Sequence, residues 1–461
     1  MKTDSTTRVF LILFAVLWLA ACGGGSGGGS GGTDNTGGGS PPSGPWTRQL
    51  GTAMGDFATG IATDAAGNVY VAGYTNGGLD GNTNAGSIDL VVVKYAANSN
   101  KLWTRQLGTA MGDVAKGIAT DANGSAYVAG YTGGGLDGNT SAGTTDFFVV
   151  KYDTNGNKLW TRQLGTTSSD QAYGIATDAN GNVYVTGYTS GSLDGITFNA
   201  GFDFFVVKYD TNGNKLWTRQ FGASQSAITD SQAHGIATDA NSNVYVTGHT
   251  TAGLDGTSAG SYDLFVVKYD TDGIKLWTRQ LGTATDDRAT GIATDAVGNV
   301  YVTGHTDAGL DGNTYAGAYD LFVVKYDTNG NKLWTKQLGT AMDDVATGIA
   351  IAAGTVYVTG RTESGLDGNT HAGASDLFVV KFAAQGKPCS PIPVFPPCEV
   401  QPKLWTRQLG TTMVDIATGI ATDAGGDAYV AGSTAGGLDG NTNAGFSDFF
   451  VVKYDANGTK Q

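Results

Sequence analysis

The chain has 461 residues, 73 of them glycine, with 27 basic and 41 acidic side chains and a formal net charge of −14. Such a balance argues against nucleic acid or anionic lipid as partners, because both are held through basic patches. It leaves divalent cations or cationic partners open, and almost all the acids are aspartates, which also make good turns.

Residues 1–21 read as an export signal. Lys2 and Arg8 give a basic start, Val9 to Ala21 is apolar, and the run is too short for a comfortable membrane helix. Leu19-Ala20-Ala21-Cys22 resembles the bacterial lipobox, which implies lipidation of Cys22 and attachment to a membrane. Gly23, in place of Asp, is similar to lipoproteins sent to the outer membrane, so the expected location is the outer membrane or cell surface. Residues 22–44 are a Gly- and Ser-rich tether with a span of about 25 Å as a flexible coil.

From residue 45 to 461 one unit recurs. The phrase LWTRQLG and its variants place tryptophans at 46, 103, 160, 217, 277, 334 and 405, and the regular spacing is 57 residues. Repeats of this size build radial or solenoid arrays, in which each unit buries its faces against its neighbours. The third unit contains Ala172 to Asp178, a tight Asn-Gly turn, Val183 to Thr189, a longer loop, Asp203 to Asp210, a second tight turn, and Lys215 to Phe221. These short runs are β-branched and aromatic and are bounded by Asn, Gly and Asp, the pattern of four half-buried strands. The expected fold is all-β: a seven-bladed β-propeller of four-stranded antiparallel blades. GIATD, with the smallest side chains, belongs beside the axis, and the tryptophan strand belongs at the rim. The lone tryptophan strand at 45–51 complements a last unit that stops after Asp448 to Tyr454, so the first segment completes the last blade.

The repeat GIATDANGNVYVTGYT, followed by DFFVVKYD and a hairpin, resembles the seven-bladed β-propeller (SBBP) repeat of bacterial surface and secreted proteins. The resemblance implies a fold and an exported setting rather than a defined activity. The sixth unit departs from it through Ile351-Ala352-Ala353. A weaker likeness, through Asp153 to Trp160, is to the tryptophan-docking repeats of quinoprotein propellers, which usually have eight blades. An insert at 386–402 in the outer hairpin of the sixth blade holds Cys389 and Cys398, expected to form a local disulfide in an exported protein.

Two sets of residues are candidates for function. Asp56, Asp113, Asp170, Asp287, Asp344 and Asp415 recur near the axis, with Ser231 in the fourth place; they are either Ca²⁺ ligands or turn formers. The LDG aspartates, from Asp80 to Asp439, and the acids opening each third strand, from Asp89 to Asp448, allow the same two readings. Residues that break the symmetry (Tyr173, His234, His249, Arg288, His305, Glu363 and His371) are scattered over different units, and no catalytic constellation is apparent. The expected role is a monomeric, lipid-anchored binding or scaffolding module for a protein or polysaccharide. The alternatives are a hydrolase or lyase of surface polysaccharide, with its site in the axial mouth, and a scaffold for outer-membrane assembly.

Overall fold

The computed structural model describes residues 46–199, 201–222, 229–254, 258–384 and 402–461. The signal segment, Cys22, the tether, and Cys389 with Cys398 lie outside the described residues. Twenty-eight strands among the described residues form seven four-stranded antiparallel sheets, as the repeat predicts. The first blade is Asp56–Thr63, Val69–Thr75, Asp89–Tyr95 and Lys101–Leu107, counted outward from the axis.

Turn chemistry sets these strands. Asp64 Oδ1 accepts from the amides of Ala66 and Asn68 (3.0 and 2.9 Å), closing the first hairpin. The loop between the second and third strands carries a short turn, Leu79–Gly81, that buries Leu79. Asp80 there pairs with Lys101 and accepts from Thr104 Oγ1 at 2.6 Å, so the LDG aspartate clamps the outer strand of its own blade.

Neighbouring blades share their cores. In one cluster Tyr70, Leu90 and Val92 of the first blade pack against Ile118, Val128, Phe148 and Tyr152 of the second. At the rim, Lys94 Nζ, Trp103 Nε1 and Arg105 Nε of the first blade donate to carbonyls of the second blade's outer hairpin. The acceptors are Thr154 O (3.1 Å), Thr154 O (3.1 Å) and Gly156 O (2.7 Å). Gly156 has φ +78, and a Cβ there would lie 2.9 Å from the Trp103 ring, so glycine is required twice over. Lys94, Trp103 and Arg105 are therefore struts between the first two blades.

The ring closes through Thr47–Leu50, which pairs antiparallel with Asp448–Tyr454, Thr47 opposite Val452 and Leu50 opposite Phe449. Trp46 is buried between Tyr429 of the seventh blade, 5.3 Å away, and Tyr95 of the first, 6.2 Å away. The described ends of the sixth blade's outer hairpin meet where the Ala383 amide donates to Pro402 O, so the insert leaves the sheet intact.

Candidate functional site at the propeller axis

Each inner strand carries a β-bulge. Pairing with the second strand slips between Ala58 and Gly60 in the first blade, and between the equivalent residues of the other six. A bulge leaves one residue out of the ladder and re-aims its side chain. The seven re-aimed residues are Thr59, Lys116, Tyr173, His234, Thr290, Thr347 and Thr418, and together they line an axial cavity of about 270 Å³.

The four threonines are structural. Thr59 Oγ1 donates to Ala115 O of the next blade at 2.9 Å, and Thr290, Thr347 and Thr418 repeat this with Ala346, Ala417 and Ala58. In three consecutive blades the strut is replaced by Lys116, Tyr173 and His234. Lys116 makes no hydrogen bond or ion pair among the described residues. Its ammonium lies 5.6 Å from the Tyr173 ring centre and 5.8 Å from that of Tyr131. Burial pushes its pKa down. Tyr173 stands 4.9 Å from the His234 ring, and its hydroxyl donates to Gln171 Oε1 at 3.3 Å.

The chain of rings continues around the mouth. His234 stacks on His249 at 5.0 Å, and His249 meets the Tyr262 ring edge-on at 5.0 Å. Arg288 covers the other part of this sector, 3.9 Å over Tyr262 and 3.1 Å from Asp286. Burial first, then the charge of Arg288, pushes His234 and His305 each down to about 4. Burial also holds His249 far below its ordinary range. All three imidazoles are therefore neutral near pH 7. His249 is only 4% exposed, yet neither ring nitrogen has a hydrogen-bond partner among the described residues. Buried polar atoms without partners are uncommon and mark places where a ligand or water completes the set.

The two halves of this face differ. The second residue of each inner strand is Gln171, Gln232 and Arg288 in blades three to five, but Val345, Ile416, Phe57 and Val114 in the other four. Those same four blades expose Met342, Met413, Met54 and Met111 on the preceding loops. The polar, aromatic sector and the apolar sector meet at the axis. Depressions of about 330 and 470 Å³ lie elsewhere, one between the inner hairpins of blades five and six and one at the rim beside Arg105. Arg105 and Gly156 in the lining of the rim depression are already bonded to each other across the blade interface.

The symmetry-breaking residues thus read as scattered along the chain but gather in space. Tyr173, His234, His249, Arg288 and His305 form one sector. Glu363 instead pairs with Arg361 at 2.9 Å, and His371 faces Asp376 at 3.4 Å, both away from the cavity lining. Lys116 was legible only by superposing the fourth residue of every inner strand, where the series Thr, Lys, Tyr, His, Thr, Thr, Thr stands out.

The six ring aspartates, Asp56, Asp113, Asp170, Asp287, Asp344 and Asp415, do not gather at the open mouth. All are fully buried. Asp113 Oδ2 accepts from Thr109 N and Oγ1 (2.6 and 2.9 Å), and its Oδ1 accepts from Thr132 Oγ1 at 2.5 Å. Burial raises its pKa, and the charge that adds to the effect is Asp89 of the preceding blade, not another ring aspartate. Among the described residues no three His, Cys, Asp or Glu side chains are placed to share a metal ion. The geometry of these carboxylates is that of turn and loop fasteners.

Fold and axis together define a seven-bladed β-propeller with an asymmetric axial site. Six segments, 46–80, 102–137, 159–194, 216–255, 276–311 and 404–439, match the SBBP beta-propeller repeat, so six units of this chain carry that repeat. The segment beginning at Trp334, which carries Ile351-Ala352-Ala353, lies outside the matched ranges. The regulatory protein FlaEY of Caulobacter vibrioides is 28% identical over 364 residues, covering 69% of this chain and 38% of that protein. An uncharacterized WD repeat-containing protein of Acanthamoeba polyphaga mimivirus is 24% identical over 408 residues, covering 65% and 29% respectively. The chain spans well under half the length of both curated relatives. Among solved structures it is similar to a luciferin-regenerating enzyme (13% identity, TM-score 0.35, covering 68% of this chain and 88% of that one). A gluconolactonase from Xanthomonas campestris is similar at 13% identity and a TM-score of 0.36, covering 68% and 86%. Likenesses at these scores carry no weight for activity.

Proposed function

We propose that this chain is a binding module of the cell envelope that receives its ligand at the axial mouth and is held to a membrane by a lipid on Cys22. The supporting observation is the replacement of the threonine strut by Lys116, Tyr173 and His234 in three adjacent blades. A ring serving only as a spacer gains nothing from exchanging an inter-blade hydrogen bond for an unpaired lysine. The anchor is supported by the lipobox-like Leu19-Ala20-Ala21-Cys22 and the tether after it.

The test is a thermal-shift screen of soluble metabolites and oligosaccharides against two proteins. One is the natural chain; the other carries Lys116→Thr, Tyr173→Thr and His234→Thr, which restores the seven-threonine ring. Compounds that stabilise the first and not the second are expected. If every stabilising compound acts equally on both, the axial mouth is not the binding site.

A further inference from the structure

We propose that the axial cavity takes a small polyhydroxy carboxylate, of the sugar-acid class, with its carboxylate on Lys116. This rests on the axial mouth being the ligand site and adds the chemistry of what enters it. In a chain of net charge −14, Lys116 stands without a hydrogen bond or an acidic partner among the described residues, although the other third-strand and outer-strand cations mostly reach a carboxylate or a carbonyl. A half-buried ammonium lacking a counter-charge favours an anion, and a charge-assisted hydrogen bond supplies the missing partner.

The remaining lining describes the rest of the ligand. Tyr131 and Tyr173 flank the ammonium and give flat faces for the C–H side of a sugar ring. Next along the chain of rings, His234 stays neutral because burial holds its pKa at about 4, so one ring nitrogen donates and the other accepts. His249, behind it, has both nitrogens unpartnered among the described residues, and Gln171 lies within reach of the Tyr173 hydroxyl. Alternating donors and acceptors of this kind suit hydroxyls better than a second charge. The cavity, about 270 Å³, is of a size for one monosaccharide-sized ligand.

Calorimetric titration of the full chain with D-glucuronate and with D-glucose, repeated on Lys116→Thr, tests this. The substitution places at Lys116 the residue that four other blades already carry, so folding is expected to survive, and an unchanged melting midpoint verifies it. Glucuronate is expected to bind the natural chain at least about tenfold more tightly than glucose, and Lys116→Thr to erase that preference. Absence of glucuronate binding, or a preference that persists in Lys116→Thr, overturns the inference. If both sugars bind equally and both are lost in the triple threonine variant, the mouth remains the ligand site and the carboxylate assignment falls.

Discussion

At the scale of single residues, the buried histidines make the mouth sensitive to acid. His305 is held at about 4 by burial and the nearby Arg288, against an ordinary value of 6.5. The unfolded chain therefore takes up a proton first as pH falls, and stability drains away between about pH 6.5 and pH 4. The contribution of this one group is at most about 3 kcal/mol. His305→Tyr, which installs the residue found at Tyr74, Tyr131 and Tyr188, removes that term alone. Urea unfolding of both proteins across this range is expected to give curves that converge above pH 7 and separate below 6.5, the natural protein losing more. Parallel curves would mean that His305 is not buried in neutral form.

At the scale of elements, the repeat was legible because strand alternation and Asn-Gly turns are local properties written into every copy. The order of strands followed from side-chain size: a Cβ on Gly117 would meet Tyr173 O and Ile175 Cγ2 of the next blade at 3.1 Å, so only small residues fit beside the axis. The bulge was not legible, because its only local trace is a second-strand glycine. A Cβ on Gly130 would lie 1.9 Å from Val114 O, where the inner strand kinks to turn Lys116 inward. Without the bulge, nothing in the sequence says that Lys116, Tyr173 and His234 face one space. Residues that stand 57 and 61 positions apart look like independent drift until the ring brings them together. Gly130→Ala is expected to destabilise the protein by several kcal/mol, because backbone must move to relieve the clash. A chemical melt within about 0.5 kcal/mol of the natural protein would contradict the bulge geometry.

For the molecule as a whole, closure of the ring holds the axis in place. The cut between the first and last units was legible as complementary fragments, and the structure pairs them strand to strand. Deleting residues 45–51 removes Trp46 and the outer strand of the seventh blade and exposes the edge of Asp448–Tyr454. Loss of a buried tryptophan alone costs about 3–5 kcal/mol, and the open edge adds association. The truncated protein is expected to melt lower and to self-associate; an unchanged melt and a monomeric profile on sizing would break the closure account. The same closure turns seven nearly equal strands into one cavity with three unlike walls, so a property absent from any single blade belongs to the ring. The most direct measurement is a crystal structure of the full chain with the best stabilising compound from the thermal-shift screen. That compound is expected in the axial cavity, touching Lys116, Tyr173 and His234. Density for it at the rim or between outer hairpins, with only water at the axis, would contradict the account.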